Sequence, residues 1–275
     1  MLLNYLRSEP IQDAGLPAGV LNIVQHSRDD AEVVVDALIS DNRIRKVNFT
    51  GSTAVGRIIA AKAAQYGKPA LLELGGKCPL IVLKDADLDK AAQAAAFGAF
   101  EHHGQICMST ERIIVDETVV NDFAAKLFDI VKKTTVHPGA SPSNVSKVAS
   151  LVSDALSQDM KIWGMETFGP VAVLVAFKSV KEAIELANDS EYGLSASIFT
   201  ADIAKAIAIA KLLDSGAVHI NSTTVHDEAH MPHGGTKASG WGRFGVPWGF
   251  AEFTQIKTIS IPTYDADEFQ LVKKI

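Results

Sequence analysis

Cysteine is scarce in this chain: Cys78 and Cys107 are the two thiols in 275 residues. Two cysteines in such different contexts build no disulfide framework and predict a reducing compartment. Runs of lysine or arginine are lacking, and the formal net charge is −6. Without a basic stripe, nucleic acid is not an expected partner. No apolar stretch approaches the length of a membrane span, so a membrane partner is not expected either. The opening Met1-Leu2-Leu3-Asn4-Tyr5-Leu6 is too short and too polar for a signal peptide. Together these features predict an intracellular, cytoplasmic protein. No internal repeat is visible.

What is present is ordinary for a globular protein: 47% apolar and 21% charged residues. The length suits one large domain or two smaller ones. Strand and helix signals alternate. Residues Ala31 to Ile39 fit a helix, Lys46 to Phe49 a strand, and Val55 to Ala64 a helix. Short strands follow at Leu71 to Leu74 and Leu80 to Leu83. Asp85 or Asp87 can cap a long Ala-rich helix that ends near His103 and Gly104. A strand at Arg112 to Val115 and a helix through Phe123, Leu127 and Val131 come next. Ser141 to Gln158 reads as helix and linker. Then strands at 171–175, 195–199 and 218–220 alternate with helices at 180–187 and 203–213. Such alternation predicts an α/β fold with mostly parallel sheet covered by helices. Pro232 to Gly249 is a Gly-rich loop with little period, and loops that long in compact domains are usually functional. A last strand is expected over Ile256 to Ile261.

Several constellations could carry chemistry. In Phe49-Thr50-Gly51-Ser52-Thr53 a strand meets a turn and a helix begins. The free N–H groups and positive dipole end of such a helix suit a phosphate, with Gly51 and Ser52 at the turn. A plain N-cap role for Ser52 or Thr50 is the competing reading. In Glu73-Leu74-Gly75-Gly76-Lys77 a carboxylate ends an apolar strand. Partial desolvation there would raise its pKa toward the range of a general base. Pairing of Glu73 with Lys77 or another surface cation is the alternative. Cys107 lies between a helix ending at Gly104 and a strand, a junction where dipoles or cations can activate a thiol. Cys78, leading into an apolar strand, reads as a small buried hydrophobe. Glu166-Thr167-Phe168-Gly169-Pro170 and Gly234-Gly235-Thr236-Lys237-Ala238-Ser239-Gly240-Trp241-Gly242-Arg243 would each pass alone for a turn. His226-Asp227-Glu228-Ala229-His230 mimics a metal site, but its Glu is one place late for the zinc-protease pattern and Pro232 stops a helix, so no metal is expected. His102 and His103 fit a helix end, where a cation offsets the dipole.

In this order and spacing, with Glu73 and Cys107 34 positions apart, the motifs resemble those of the aldehyde dehydrogenase family from about Ala14 to Ile261. Gly104-Gln105-Ile106-Cys107-Met108-Ser109-Thr110-Glu111-Arg112 and Thr224-Val225-His226-Asp227-Glu228 are similar to its salicylaldehyde and vanillin dehydrogenase branch. The resemblance implies a partial Rossmann-like cofactor part over 1–74, a catalytic α/β domain over 75–257, and a C-terminal strand and tail over 258–275 that serves assembly. It implies NAD or NADP as cofactor and a small-molecule aldehyde, possibly aromatic, as substrate. Cys107 would be the nucleophile and Glu73 the general base. Gly51 and Ser52 would meet the pyrophosphate, Leu74 the nicotinamide, and Glu166 and Phe168 the nicotinamide ribose and ring. Against the family pattern the chain is shortened at its start and between Ser143 and Met160, and His233 stands where an aromatic is usual. Two further outcomes follow from that shortening: a catalytically impaired partner of a full-length paralogue, or a cofactor-free esterase. Homo-oligomers through the C-terminal strand are the other expected partnership.

Overall fold

The computed structural model describes residues 13–135, 142–156 and 161–261. Its centre is a five-stranded parallel sheet. The strands are β3 (Cys78–Val82), β4 (Thr110–Asp116), β5 (Val173–Phe177), β7 (Ser195–Phe199) and β8 (Ala217–Ile220), in the order β5-β4-β3-β7-β8. β3 and β7 are buried along their whole length. Parallel strands need helical crossovers, which cover both faces and leave near-continuous apolar runs.

Successive residues of β3 serve opposite faces. Ile81 joins Ile114, Phe177 and Ile198 beneath two helices, Val180–Asn188 and Ile203–Ala210. Leu80 and Val82 join Ile113, Val115 and Phe199 beneath the helices Leu88–Phe100 and Val120–Val131. The Leu88–Phe100 helix starts at Asp87, whose side chain accepts from the Lys90 N–H at 3.2 Å. It buries an alanine face of Ala91, Ala92, Ala95 and Ala99, so it lies close to the sheet. Gly98 completes that face; a Cβ there would strike the Thr110 hydroxyl.

A second, three-stranded sheet holds β1 (Val47–Thr50), β2 (Ala70–Glu73) and β10 (Gly240–Trp241), with β1 and β2 parallel and β10 antiparallel to β2. The helices α1 (Ala31–Ser40) and α2 (Thr53–Gln65) cover it through Ile39, Ile59, Ala63, Leu72 and Leu74. A two-stranded ribbon pairs β6 (Tyr192–Gly193) with β9 (Thr236–Lys237).

Three expectations are corrected. The loop over 232–249 contains the two-residue strands β9 and β10, and a six-residue helix, Trp248–Phe253, begins inside it. Nothing in that stretch has enough period to announce them. The helix expected to run to Leu213 ends at Ala210, where the chain turns into β8. The strand expected over Ile256 to Ile261 does not form in the described residues; Ile256, Ile259 and Ile261 are fully or largely exposed. A strand exists only against a partner, and none lies there among the described residues. The tail beyond Ile261 lies outside the described residues. Among the described residues no helix is long and apolar enough to cross a membrane.

Candidate active site

The carboxyl ends of β1 and β2 deliver Gly51, Ser52, Glu73 and Leu74, while Cys107 and the pair Glu166 and Phe168 lie in the segments that lead into β4 and β5. Glu73 is the last residue of β2 and is buried. One residue further on, two glycines let three segments crowd together. A Cβ on Gly75 would lie 2.5 Å from Glu166 Oε2, and one on Gly76 would collide with the Cys107 carbonyl oxygen. With hydrogens instead, the Gly76 N–H donates to Glu166 Oε1 at 3.1 Å. The Cys78 thiol lies 3.8 Å from the Cys107 carbonyl oxygen and is fully buried, as expected of a packing cysteine.

Cys107 arrives by an unusual helix end. The alanine helix gives way to a 3-10 turn, Glu101–Gly104, in which His102, His103 and Gly104 all have positive φ (47°, 60° and 70°). That kink turns the chain back over the sheet before β4 begins. His102 is exposed and next to Glu101, away from the thiol's immediate contacts. Cys107 itself is half-buried.

Gly51, Ser52, Glu73, Leu74, Cys107, Glu166 and Phe168 all line one cleft of about 570 Å³. Gln105, Ile106, Asn144 and Lys147 complete its rim. Ser52 is the N-cap of α2, accepting from the Val55 N–H at 3.4 Å, so the capping reading of this residue holds. The Gly51 N–H donates to the Glu73 carbonyl at 3.1 Å. It is therefore committed to the sheet, and the donors left for an anion are the first amides of α2. A second, apolar cleft of about 530 Å³ runs between α1 and α2, lined by Val35, Ile39, Val55, Ile58 and Ile59 among others.

The electrostatics differ from the expectation of an activated thiol. Burial first, then the Glu73 and Glu166 carboxylates, push the Cys107 thiol up to about 11. Backbone N–H groups of Cys107 and Met108 oppose that shift by hydrogen bonding to the sulfur. With burial the leading influence, the resting sulfur is protonated near neutral pH. Glu166 is raised too, chiefly by burial, with the Glu111 charge adding to it.

Glu73 does not pair with Lys77. Lys77 is buried and forms an ion pair with Glu111. Glu73 Oε1 instead accepts from His233 Nε2 at 3.0 Å, while Glu73 Oε2 is buried without a hydrogen-bond partner among the described residues.

Sequence reasoning did not find the residues that hold this site. Glu111 accepts from the Thr167 N–H at 2.8 and 2.9 Å and from the Phe168 N–H at 3.0 Å. It thereby fixes a loop whose Phe168 has a φ of 50°, a strained value for an aromatic residue. Asn144 Nδ2 donates to the Phe168 carbonyl at 2.9 Å. Arg112 donates to the carbonyls of Lys77, Leu186, Ala187 and Asp189, which ties the Gly-Gly-Lys turn to a helix end. A charged residue inside an otherwise apolar strand was the one available signal for Glu111 and Arg112. Among the described residues no group of three or more His, Cys, Asp or Glu side chains is placed to hold a metal.

Comparison with known proteins shows the family to which this fold belongs. The model of the aldehyde dehydrogenase family matches residues 2–155 and 144–259. A salicylaldehyde dehydrogenase of Pseudomonas sp. (strain C18) is 44% identical over 296 positions, covering 94% of this chain and 61% of the relative. The solved structure of a salicylaldehyde dehydrogenase from Pseudomonas putida G7, complexed with salicylaldehyde, superposes with a TM-score of 0.92 at 43% identity, covering 94% of this chain and 61% of that one. An NAD-dependent aldehyde dehydrogenase from Sinorhizobium meliloti gives 0.86 at 32% identity, covering 94% and 59%. This chain thus spans about 61% of the length of the curated relative. The 296 aligned positions exceed the 275 residues here, so that relative carries segments with no counterpart in this chain.

Proposed function

The chain belongs to the aldehyde dehydrogenase family, and from that membership we propose that it oxidises an aldehyde, of the aromatic class, to a carboxylic acid. The observation that carries the proposal is the convergence of Cys107, Glu73, Glu166 and Phe168 on one cleft that also reaches the start of α2. The aromatic class rests on the salicylaldehyde dehydrogenases it resembles.

The residues fit a dinucleotide. The first amides of the 13-residue α2 and the Ser52 hydroxyl suit a pyrophosphate. The apolar cleft between α1 and α2 suits a flat ring: Ile58 and Val55 stand exposed along it. Leu74 and Phe168 supply apolar walls beside Cys107, and Glu166 a carboxylate for ribose hydroxyls. Bound NAD or NADP would supply the hydride acceptor that turns the Cys107 adduct into a thioester. In this proposal residues 1–74 belong to the cofactor part, 75–257 to the catalytic part and 258–275 to an assembly strand and tail.

The chain's own residues account for the remaining chemistry. The Cys107 sulfur adds to the carbonyl carbon as thiolate; its proton, which burial keeps on the thiol at rest, passes first to solvent water. The Cys107 and Met108 amides, already turned to the sulfur, would be the donors at hand for the oxygen that gains charge. Glu73 then takes a proton from water, which attacks the acyl carbon and frees the acid.

The test is formation of reduced nicotinamide, followed by absorbance, with a panel of benzaldehydes and each cofactor. Turnover that disappears in Cys107→Ser supports the proposal. A folded chain that turns over no member of the panel with either cofactor overturns it.

A further inference from the structure

His233 is a residue the expected chemistry does not use. It lies in the Gly-rich loop between β8 and β9, and its backbone pairs with Phe244 in an isolated bridge, the Phe244 N–H donating to the His233 carbonyl at 2.7 Å. That pairing turns the imidazole onto the end of β2. Nε2 meets Glu73 Oε1 at 3.0 Å, and Nδ1 lies 3.8 Å from Asp227 Oδ1. The His233 side chain is 13% exposed and that of Glu73 is 7% exposed, whereas Asp227 is 49% exposed. The imidazole is therefore a bridge between a buried carboxylate and one in solvent. It leaves Glu73 with unequal oxygens: Oε1 is held, and Oε2 is buried with no hydrogen-bond partner among the described residues.

We propose that His233 is a positioning residue for Glu73, holding Oε1 so that Oε2 is the oxygen that takes the proton of the hydrolytic water. The inference rests on the reading of Cys107 and Glu73 above. In the step itself, the water oxygen bonds to the acyl carbon and one water proton goes to Glu73 Oε2. The carbon–sulfur bond breaks, its electron pair returns to Cys107, and the proton on Glu73 restores the thiol. Atoms and charge balance, and no other reactant is needed.

Several titratable groups surround His233. Glu73 and Asp227 favour its protonated form, Arg243 opposes it, and His219 on β8 is a further titrating neighbour. The hydrogen bond to Glu73 is the largest influence and raises the imidazole above its ordinary value. Loss of the imidazolium charge as pH rises through that raised value leaves the neutral Nε2–H still able to hold Oε1. The positioning therefore persists into the alkaline range, while the charge on the pair changes.

Two measurements on the full chain test this. In the first, the His233 ring signals are titrated by NMR in the wild type and in Glu73→Gln. The expected result is an elevated titration that falls toward the ordinary imidazole value in the variant; an unmoved titration overturns the contact. In the second, p-nitrophenyl benzoate acylates Cys107 without cofactor, and the acyl-enzyme is followed by intact mass. His233→Phe should acylate at the wild-type rate but lose its acyl group roughly tenfold more slowly. His233→Gln, whose amide can still donate to Oε1, should recover most of that loss. Equal deacylation in the wild type and a folded His233→Phe overturns the positioning. Should no acyl group appear on wild-type Cys107, the nucleophile reading fails separately, and the NMR result alone decides for or against the His233–Glu73 contact.

Discussion

At the scale of single residues, the Cys107 thiol stands among the carboxylates of Glu73 and Glu166. Burial and the two carboxylates hold Cys107 up to about 11, so its reactivity should climb with pH well beyond the range of a free cysteine. Alkylation by iodoacetamide, read by peptide mass, should show that late rise at Cys107. Glu73→Gln removes one of the opposing charges and should move the rise to lower pH. Labelling of Cys107 that plateaus near neutral pH in the wild type would contradict the electrostatics. Cys78 should stay unlabelled throughout, because it is buried and raised further still. The motif residues of this site were legible in the chain because each stands at a strand end or helix start with a recognisable neighbour. Their partners were not. The link from His233 to Glu73 spans 160 positions, and no local pattern encodes so distant a contact.

At the scale of elements, the five-stranded sheet was the most legible feature, since β-branched runs and alanine-rich helices alternate with little ambiguity. The elements that shape the cleft were less so. β9 and β10 have two residues each, and such pieces form only because other strands wait for them. The strand expected over Ile256 to Ile261 failed for the converse reason. The buried Lys77–Glu111 pair is where one substitution should act across several elements. Glu111→Gln would leave the Lys77 ammonium buried without its counter-charge and weaken the grip on the Thr167 and Phe168 amides. Breaking a buried pair on one side costs about 3–5 kcal/mol. Denaturant unfolding should show a fall of that order, with loss of turnover even where the variant remains folded. A change below about 1 kcal/mol, the size expected of an exposed pair, would show that the pair is not holding the loop.

At the scale of the whole molecule, apolar surface is unevenly distributed. Trp248, Phe250 and Phe253 stand exposed on the helix Trp248–Phe253, and Ile256, Ile259 and Ile261 follow on a segment that pairs with no strand among the described residues. An apolar edge of this kind invites another chain. We expect the protein to self-associate through it. Sedimentation velocity should report a dimer or larger species, and replacing Ile256, Ile259 and Ile261 together with Ser should return it to the monomer. A wild-type monomer at high micromolar concentration would remove this expectation.

The glycine at position 76 has an effect on how such a site diversifies. Because backbone there rests directly on the Cys107 carbonyl, the spacing of the reacting groups is set by main-chain contact, out of reach of ordinary side-chain drift. Variation is left to the outer wall, at Gln105, Ile106 and Lys147. Exchanging those three would retune which molecules enter, while the machinery behind them stays in register.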